Sequence, residues 1–194
     1  MSARHITSTM VGQILGLSPW GGPWQAWARL VGLAAPSAGN AATRRGHLLE
    51  RAVAEAYAAD LGVLLTRGPP YEAPPSPGPE PWMATHEDFV VASMDIPPRS
   101  WVLEVKTART LDSDEWGPAG SDEIPPHYAA QCLWHMACLD LDRCDLAVYA
   151  TLSDELRVYT LHRDRDIEVR LITHLRGWYE AHVIGAPPPP VDAS

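Results

Sequence analysis

The segment Ser100 to Thr107 (SWVLEVKT) constrains the fold of this chain more than any other. Trp101, Val102, Leu103 and Val105 read as an apolar β-strand, yet Glu104 and Lys106 interrupt it two residues apart. Side chains at i and i+2 of a strand project from one face, so an acid and a base share one side of an otherwise apolar element. Taking both out of water costs free energy unless they pair with each other or bind something. A plain buried ion pair and a binding site both meet that condition. A second acidic pair, Glu87-Asp88, lies in the strand-like run Trp82 to Val91, and a turn near Pro97 and Pro98 would fold the two runs into a hairpin. One of these carboxylates would then lie beside Glu104. Carboxylates gathered this closely repel one another, and a divalent cation relieves the repulsion.

Lys106 is the only lysine among the 15 Lys and Arg residues. A guanidinium can solubilise or pair, but it does not reproduce a compact ammonium with a tunable pKa beside a phosphate or a water. Arginine-rich coding that left one lysine by chance is the bland alternative. The net charge of -9 weighs only weakly against a nucleic-acid partner, because phosphate binding needs local rather than overall positive charge. Cys132, Cys138 and Cys144 form neither a CxxC pair nor an even disulfide set, which predicts reduced, buried thiols. Three cysteines also disfavour an iron-sulfur cluster, which usually takes four. No run approaches the roughly 20 apolar residues of a membrane span, and Met10 to Leu17 is too short and broken for a secretory signal. The expectation is a cytoplasmic protein. At 194 residues the chain fits one domain.

Along the chain, helices are expected from Thr9 to Leu17, from Pro23 to Val31 with Trp24, Trp27 and Leu30 as core, and from an Asn40 cap to Ala59 with Leu49, Val53 and Ala56 buried. Glu50 sits beside that last stripe, either pointing into a cleft or solvated on the helix flank. Gly68 to Pro81 holds seven prolines and reads as a long ordered loop. After an acidic loop, Pro126 to Leu139 reads as a helix with Tyr128, Gln131, Trp134 and Cys138 along one side. Strands follow near Leu146 to Leu152 and Leu156 to Leu161, then a helix from about Asp166 to Val183 and a frayed tail.

A strand carboxylate followed by Glu-x-Lys is the PD-(D/E)xK nuclease pattern. ITSTMVGQILGLSPW (Ile6 to Trp20), RRGHLLERAV (Arg44 to Val53), PWMATHEDFVV (Pro81 to Val91), LEVKTA (Leu103 to Ala108) and EIPPHYAAQCLWHM (Glu123 to Met136) occur in that order. Together they resemble the YqaJ-type viral recombinase family, which is similar to phage lambda exonuclease, over most of the chain. The resemblance implies an α/β fold with a restriction-endonuclease-like core, a central mixed sheet flanked by helices. It implies one nuclease domain over 1–185 and a Pro-rich flexible tail over 186–194. The implied activity is a Mg²⁺-dependent exonuclease, with Mn²⁺ as substitute, acting 5′-to-3′ on linear double-stranded DNA. It would release mononucleotides and leave 3′ single strands for recombination with a single-strand annealing protein, often as a ring-shaped trimer.

Carried over residue by residue, the resemblance gives the metal to Glu104, the carbonyl of Val105 and an Asp on the preceding strand, with Glu50 on the metal or its water. Lys106 would orient or deprotonate the attacking water, and Gln131 and Tyr128 would line the pocket. Thr9, where the family has a serine, and Arg4 could receive a 5′-phosphate. This sequence departs from the family at Thr85-His86-Glu87-Asp88, where TPDG is usual, and at Met10, usually acidic. Either Asp88 supplies the ligand after a one-residue shift or the longer Glu87 does. Asp88 is preferred, because its shorter carboxylate keeps an ion near the backbone carbonyl. His86 and His127 are expected near the site without ligating. A restriction-type or structure-specific endonuclease, and a catalytically inactive DNA-binding relative, are the competing readings.

Overall fold

The apolar run with its two charges is the middle strand of a five-stranded mixed sheet. The structure is a computed structural model and describes residues 4–34, 39–185 and 187–190. Three helices come first, α1 (Ser8–Ile14), α2 (Pro23–Leu30) and α3 (Ala41–Leu61). Strands β1 (Leu64–Arg67), β2 (Ser76–Pro77), β3 (Ala84–Thr85), β4 (Phe89–Ala92) and β5 (Ser100–Ala108) follow. Then come α4 (Pro126–Leu139), β6 (Arg143–Ala150), β7 (Glu155–His162), α5 (Arg165–Tyr179) and a π-helical turn, Glu180–Ile184. The main sheet runs β1-β4-β5-β6-β7, and β2 and β3 make a separate two-stranded ribbon. Only β5 and β6 are parallel; the other neighbours in the main sheet are antiparallel. A parallel pair needs a crossover, and α4 supplies it.

Both faces of β5 are covered, which explains its apolar composition. Trp101, Leu103 and Val105 pack toward Val53, Ala54 and Tyr57 of α3, while Val102 joins Cys132 and Met136 of α4 with Cys144, Leu146 and Val148 of β6. A third cluster packs Ile6, Val11 and Ile14 against Trp134 and Ala137 of α4 and Leu171 and Leu175 of α5. α1 comes close to the start of α4 because residue 12 is glycine: a Cβ there would lie 3.2 Å from the His127 Cβ. No helix among the described residues is long and apolar enough to cross a membrane.

The hairpin expected around Pro97 and Pro98 forms, as β4 and β5. The run before it is not one strand, however. Ala84–Thr85 pairs with Ser76–Pro77, and the chain leaves strand geometry at His86 before β4 begins at Phe89. On α3, Ala56 is exposed and Leu49 only half-buried, because Ala54 and Tyr57 share the sheet face with Val53. Trp24 and Trp27 are likewise half-buried, the latter donating from Nε1 to the His182 carbonyl at 2.9 Å. α1 stops at Ile14, three residues early. Within the expected tail, Pro189 is buried and the Pro187 carbonyl lies 2.9 Å from His182 Nδ1, while residues 186 and 191–194 fall outside the described residues.

A buried polar knot fastens α3 to the sheet. Asp145 on β6 is fully buried and takes two hydrogen bonds from Arg143, at 2.8 and 2.6 Å, and one from Thr160 of β7 at 2.9 Å. The Tyr57 hydroxyl donates to its Oδ2 at 2.5 Å and accepts from Trp101 Nε1 at 2.8 Å. Tyr57→Phe should therefore leave two buried polar atoms short of a partner and cost about 1–3 kcal/mol, read as a drop of about 2–4 °C in Tm per kcal/mol. A Tm within 1 °C of wild type would show that the knot does not hold the helix.

Candidate active site

The sheet is interrupted where Glu104 and Lys106 stand. Phe89 pairs with both Arg67 and Leu103, and there β1 ends and β4 begins. β5 runs on from Glu104 to Ala108 with β6 on one side and no β4 on the other. The Val105 N–H thus lacks a strand partner on that edge, and Asp88 Oδ2 accepts it at 2.8 Å. In a strand the N–H and C=O of one residue point to the same side, so the Val105 carbonyl faces the same open edge. The turn is tight: Gly68 N donates to the Asp88 carbonyl at 3.0 Å, and a Cβ on Gly68 would sit 1.9 Å from the Glu87 carbonyl oxygen. Only glycine fits there.

A cleft of about 330 Å³ opens over this edge. Among its lining residues are the carboxylates Glu50, Glu72, Glu87, Asp88 and Glu104, against the fixed cations Arg67 and Lys106. Arg67 lies 3.3 Å from Glu50. Thr7, Ser8 and Thr9 form another wall, held there because Ile6 bridges to Met83 beside the ribbon. Glu104 is 2% exposed and its Oε1 accepts from Lys106 Nζ and, at 2.5 Å, from Gln131 Nε2. His135 Nε2 stands 3.0 Å from the other oxygen, Oε2.

The charges are unevenly settled. Burial alone would push the Glu104 carboxyl up, but the Lys106 charge and the hydrogen bonds from Lys106 and His135 outweigh it and hold Glu104 well below the usual carboxylate range. Burial likewise works against the Lys106 charge, and Glu104 and Asp88 more than restore it, so the ammonium persists. For Asp88, burial and the charge of Glu104 win over Lys106 and the Val105 N–H, and its carboxyl is raised well above the usual range. A second positive charge is what this edge is short of. Among the described residues no three His, Cys, Asp or Glu side chains stand ready to share an ion. Two carboxylates, a backbone carbonyl and water nevertheless suit Mg²⁺, which takes oxygen ligands and keeps several waters.

Of the residues singled out in the sequence, Asp88, Glu104, Lys106, Gln131, Glu50 and Thr9 come together at the cleft. Tyr128 borders it through Lys106, whose Nζ is 5.9 Å from the ring centroid. Glu87 and Asp88 diverge: Glu87 Oε1 accepts from the Ser76 hydroxyl at 2.8 Å, on the ribbon side, and its Oε2 is buried with no hydrogen-bond partner among the described residues. Arg4 does not line the cleft. Its guanidinium lies 3.5 Å from the Val183 carbonyl, because the segment before Ile6 runs toward the end of α5, where Tyr179 donates to the Arg4 carbonyl. His86 lines the cleft, and His127 packs against Trp20 and Tyr128. The sequence reading missed His135 and Thr85. Position 135 is four residues after Gln131, a helical spacing that puts both on one face, and that spacing was the available signal.

The chain matches the YqaJ-like viral recombinase domain over residues 1–142. No curated protein sequence matches it significantly. Among solved structures it is similar to an alkaline exonuclease (LHK-Exo) from Laribacter hongkongensis, at 16% identity and a TM-score of 0.70, covering 95% of this chain and 90% of that one. The structure of LHK-Exo in complex with dAMP gives 18% identity and a TM-score of 0.69 over the same shares of each chain. A phage-related exonuclease from Haemophilus somnus 129PT gives 15% identity and a TM-score of 0.60, covering 94% of this chain and 96% of that one. At such identities the likeness is one of fold, and the fold is the expected mixed α/β sheet flanked by helices. With the domain match spanning well over half its length, the chain belongs to the YqaJ-like viral recombinase domain family.

Proposed function

We propose that this chain is a divalent-metal-dependent deoxyribonuclease that digests linear double-stranded DNA from its ends, 5′-to-3′. One observation carries the reading: the Asp88 carboxylate, held on the Val105 N–H, meets Glu104 and Lys106 on the one open edge of the central strand. The family and the exonuclease folds support a DNA substrate, and a mononucleotide in the Laribacter enzyme fits release of mononucleotides. Asp88, Glu104 and the Val105 carbonyl would hold Mg²⁺, with Mn²⁺ as substitute and Glu50 acting through water. An ion held there would polarise the scissile phosphate and make its water more acidic. Lys106, kept as an ammonium by its carboxylates, donates to the phosphate and orients the water rather than removing its proton. Gln131 keeps Glu104 oriented, and Tyr128 flanks the ammonium. Ser8 and Thr9 line the cleft, and their hydroxyls would take a terminal 5′-phosphate, whereas Arg4 would have to leave Val183 to contribute. Digestion would leave 3′ single strands for a single-strand annealing protein, and a ring-shaped oligomer would keep the enzyme on its track.

End-labelled linear duplex and the same DNA as a closed or nicked circle, each with and without Mg²⁺, test this directly. Digestion of linear DNA alone and only with metal is expected; cutting of closed circles would favour the endonuclease reading, and no turnover the inactive one. A 5′-phosphate should speed digestion over a 5′-hydroxyl, and Thr9→Val should narrow that difference at fixed salt.

Lys106→Ala should bind DNA and fold normally yet lose at least about 10²-fold in rate, as on loss of a positioned catalytic group. Lys106→Arg should do no better, since a planar fork does not fit an ammonium's place. Near-normal turnover by the arginine variant would disprove the role given to the ammonium.

Asp88 is strained by its own charge, and that fixes a pH dependence. Its carboxyl titrates above the unfolded value of about 3.9, so its full contribution to stability is present below that pH and is lost as pH rises through the folded pKa. Asp88→Asn should therefore raise Tm at pH 7.5 in chelator, by about 2–4 °C per kcal/mol of relief, with the gain vanishing toward pH 4. Mg²⁺ should stabilise the wild type and not the variant. Glu87→Gln should keep turnover, since its carboxylate faces Ser76. An Asp88→Asn protein less stable than wild type at pH 7.5, or a Glu87→Gln protein as inactive as it, would overturn the assignment.

A further inference from the structure

Glu104 is held at both oxygens from α4, one turn apart. Gln131 Nε2 donates to Oε1 at 2.5 Å, and His135 Nε2 stands 3.0 Å from Oε2. His135 is fully buried, and apart from each other neither its Nε2 nor Glu104 Oε2 has a polar partner among the described residues; even their own contact falls short of ideal hydrogen-bond geometry. Buried polar atoms are rarely left unmatched, so these two are each other's partner. The far ring nitrogen, Nδ1, is 2.6 Å from the Thr85 hydroxyl, and Thr85 is itself fully buried on β3. A neutral imidazole has one donor and one acceptor nitrogen. If Nε2 is to donate to a carboxylate, Nδ1 must accept, and the Thr85 hydroxyl is the donor beside it.

We infer that Thr85 and His135 are a positioning pair: Thr85 fixes His135 as its Nε2–H tautomer, and His135 thereby orients the Glu104 carboxylate toward the open edge of β5. The inference rests on the proposed metal-dependent reading, which names Glu104 as a ligand. It also gives the ribbon of β2 and β3 a task. β3 carries Thr85 to the ring, and the chain then turns through His86 and Glu87 to deliver Asp88 to Val105. One segment thus sets both proposed carboxylate ligands, Asp88 directly and Glu104 through His135. A carboxylate whose oxygens are already held in place loses less freedom on taking an ion, and partners of this kind typically change metal affinity by roughly 10–100-fold.

Two measurements on the full chain test the pair. Nitrogen-15 spectra of histidine-labelled protein in chelator, with His135 identified by its loss in His135→Gln, should show protonation at Nε2 and not at Nδ1. A proton on Nδ1, in either the neutral or the charged ring, would overturn the pairing. Calorimetric titration of DNA-free protein with Mn²⁺ should show His135→Leu weakened roughly 10–100-fold and Thr85→Val weakened in the same direction. His135→Gln, which keeps a donor near Nε2, should recover most of the affinity. Wild-type affinity in a His135→Leu protein that melts cooperatively would refute the positioning role. Should His135→Leu fail to fold, Thr85→Val decides, since it removes only a hydroxyl. A wild type that takes up no Mn²⁺ at all counts instead against the proposed function, and the tautomer then decides the pairing alone.

Discussion

The hydrogen bond from the Val105 N–H to the Asp88 carboxylate is the contact on which the rest of the site depends. A sheet that kept β4 paired to β5 along its whole length would satisfy that N–H with a backbone carbonyl, and nothing would be left over for chemistry. Because β4 begins only at Phe89, the buried donor would otherwise cost roughly 1–3 kcal/mol. An ionised acceptor makes a stronger bond than a carbonyl does, but it places a negative charge beside Glu104. The same local event therefore ends the strand pairing, leaves the Val105 carbonyl facing the unpaired edge and creates the electrostatic need that a cation would meet.

That need is unevenly distributed, and the unevenness divides the labour. Glu104 is surrounded by donors, Lys106, Gln131 and His135, and stays charged at low cost. Asp88 has one backbone N–H and faces Glu104 and Glu50, so it carries most of the repulsion. Glu104 is thus the fixed member and Asp88 the member whose protonation answers to its surroundings. Under the proposed function an ion would relieve that repulsion, while the polar knot at Asp145 and the packed clusters on both faces of β5 hold the strand in place.

The parts of this arrangement that follow from strand periodicity were legible in the sequence. Two charges at i and i+2 on SWVLEVKT fixed a shared face, and the proline turn fixed the hairpin that brings an acidic residue alongside. The helix with Gln131 followed from its apolar period, and its ends agree with the expectation. What was not legible depended on breaks in periodicity. Strand alternation predicts that only one of Glu87 and Asp88 faces Glu104, but both lie in the turn between β3 and β4, which follows the ribbon pairing of Ser76–Pro77 with Ala84–Thr85. His135 lacked a recognisable motif because its partners lie on β3 and β5, 50 and 31 residues away in sequence. Arg4 was misplaced for a related reason, since its position is dictated by Tyr179 and Val183 near the other end of the chain.

The acidic balance of the chain takes on meaning once its arginines are located. Arg143 is committed to Asp145, Arg163 to Asp140 and Glu168, Arg176 to Glu80, and Arg99 to Asp95. These guanidiniums are paired within the fold, for which their planar, multidentate donors are suited, and none of them lines the cleft. What lines the cleft is one arginine, one lysine and five carboxylates. A phosphate approaching such a surface would be repelled less once a divalent cation offset part of that negative charge. Under the proposed function, metal and DNA binding are therefore coupled by charge alone: the ion that would activate the water is also the ion that lets the backbone enter.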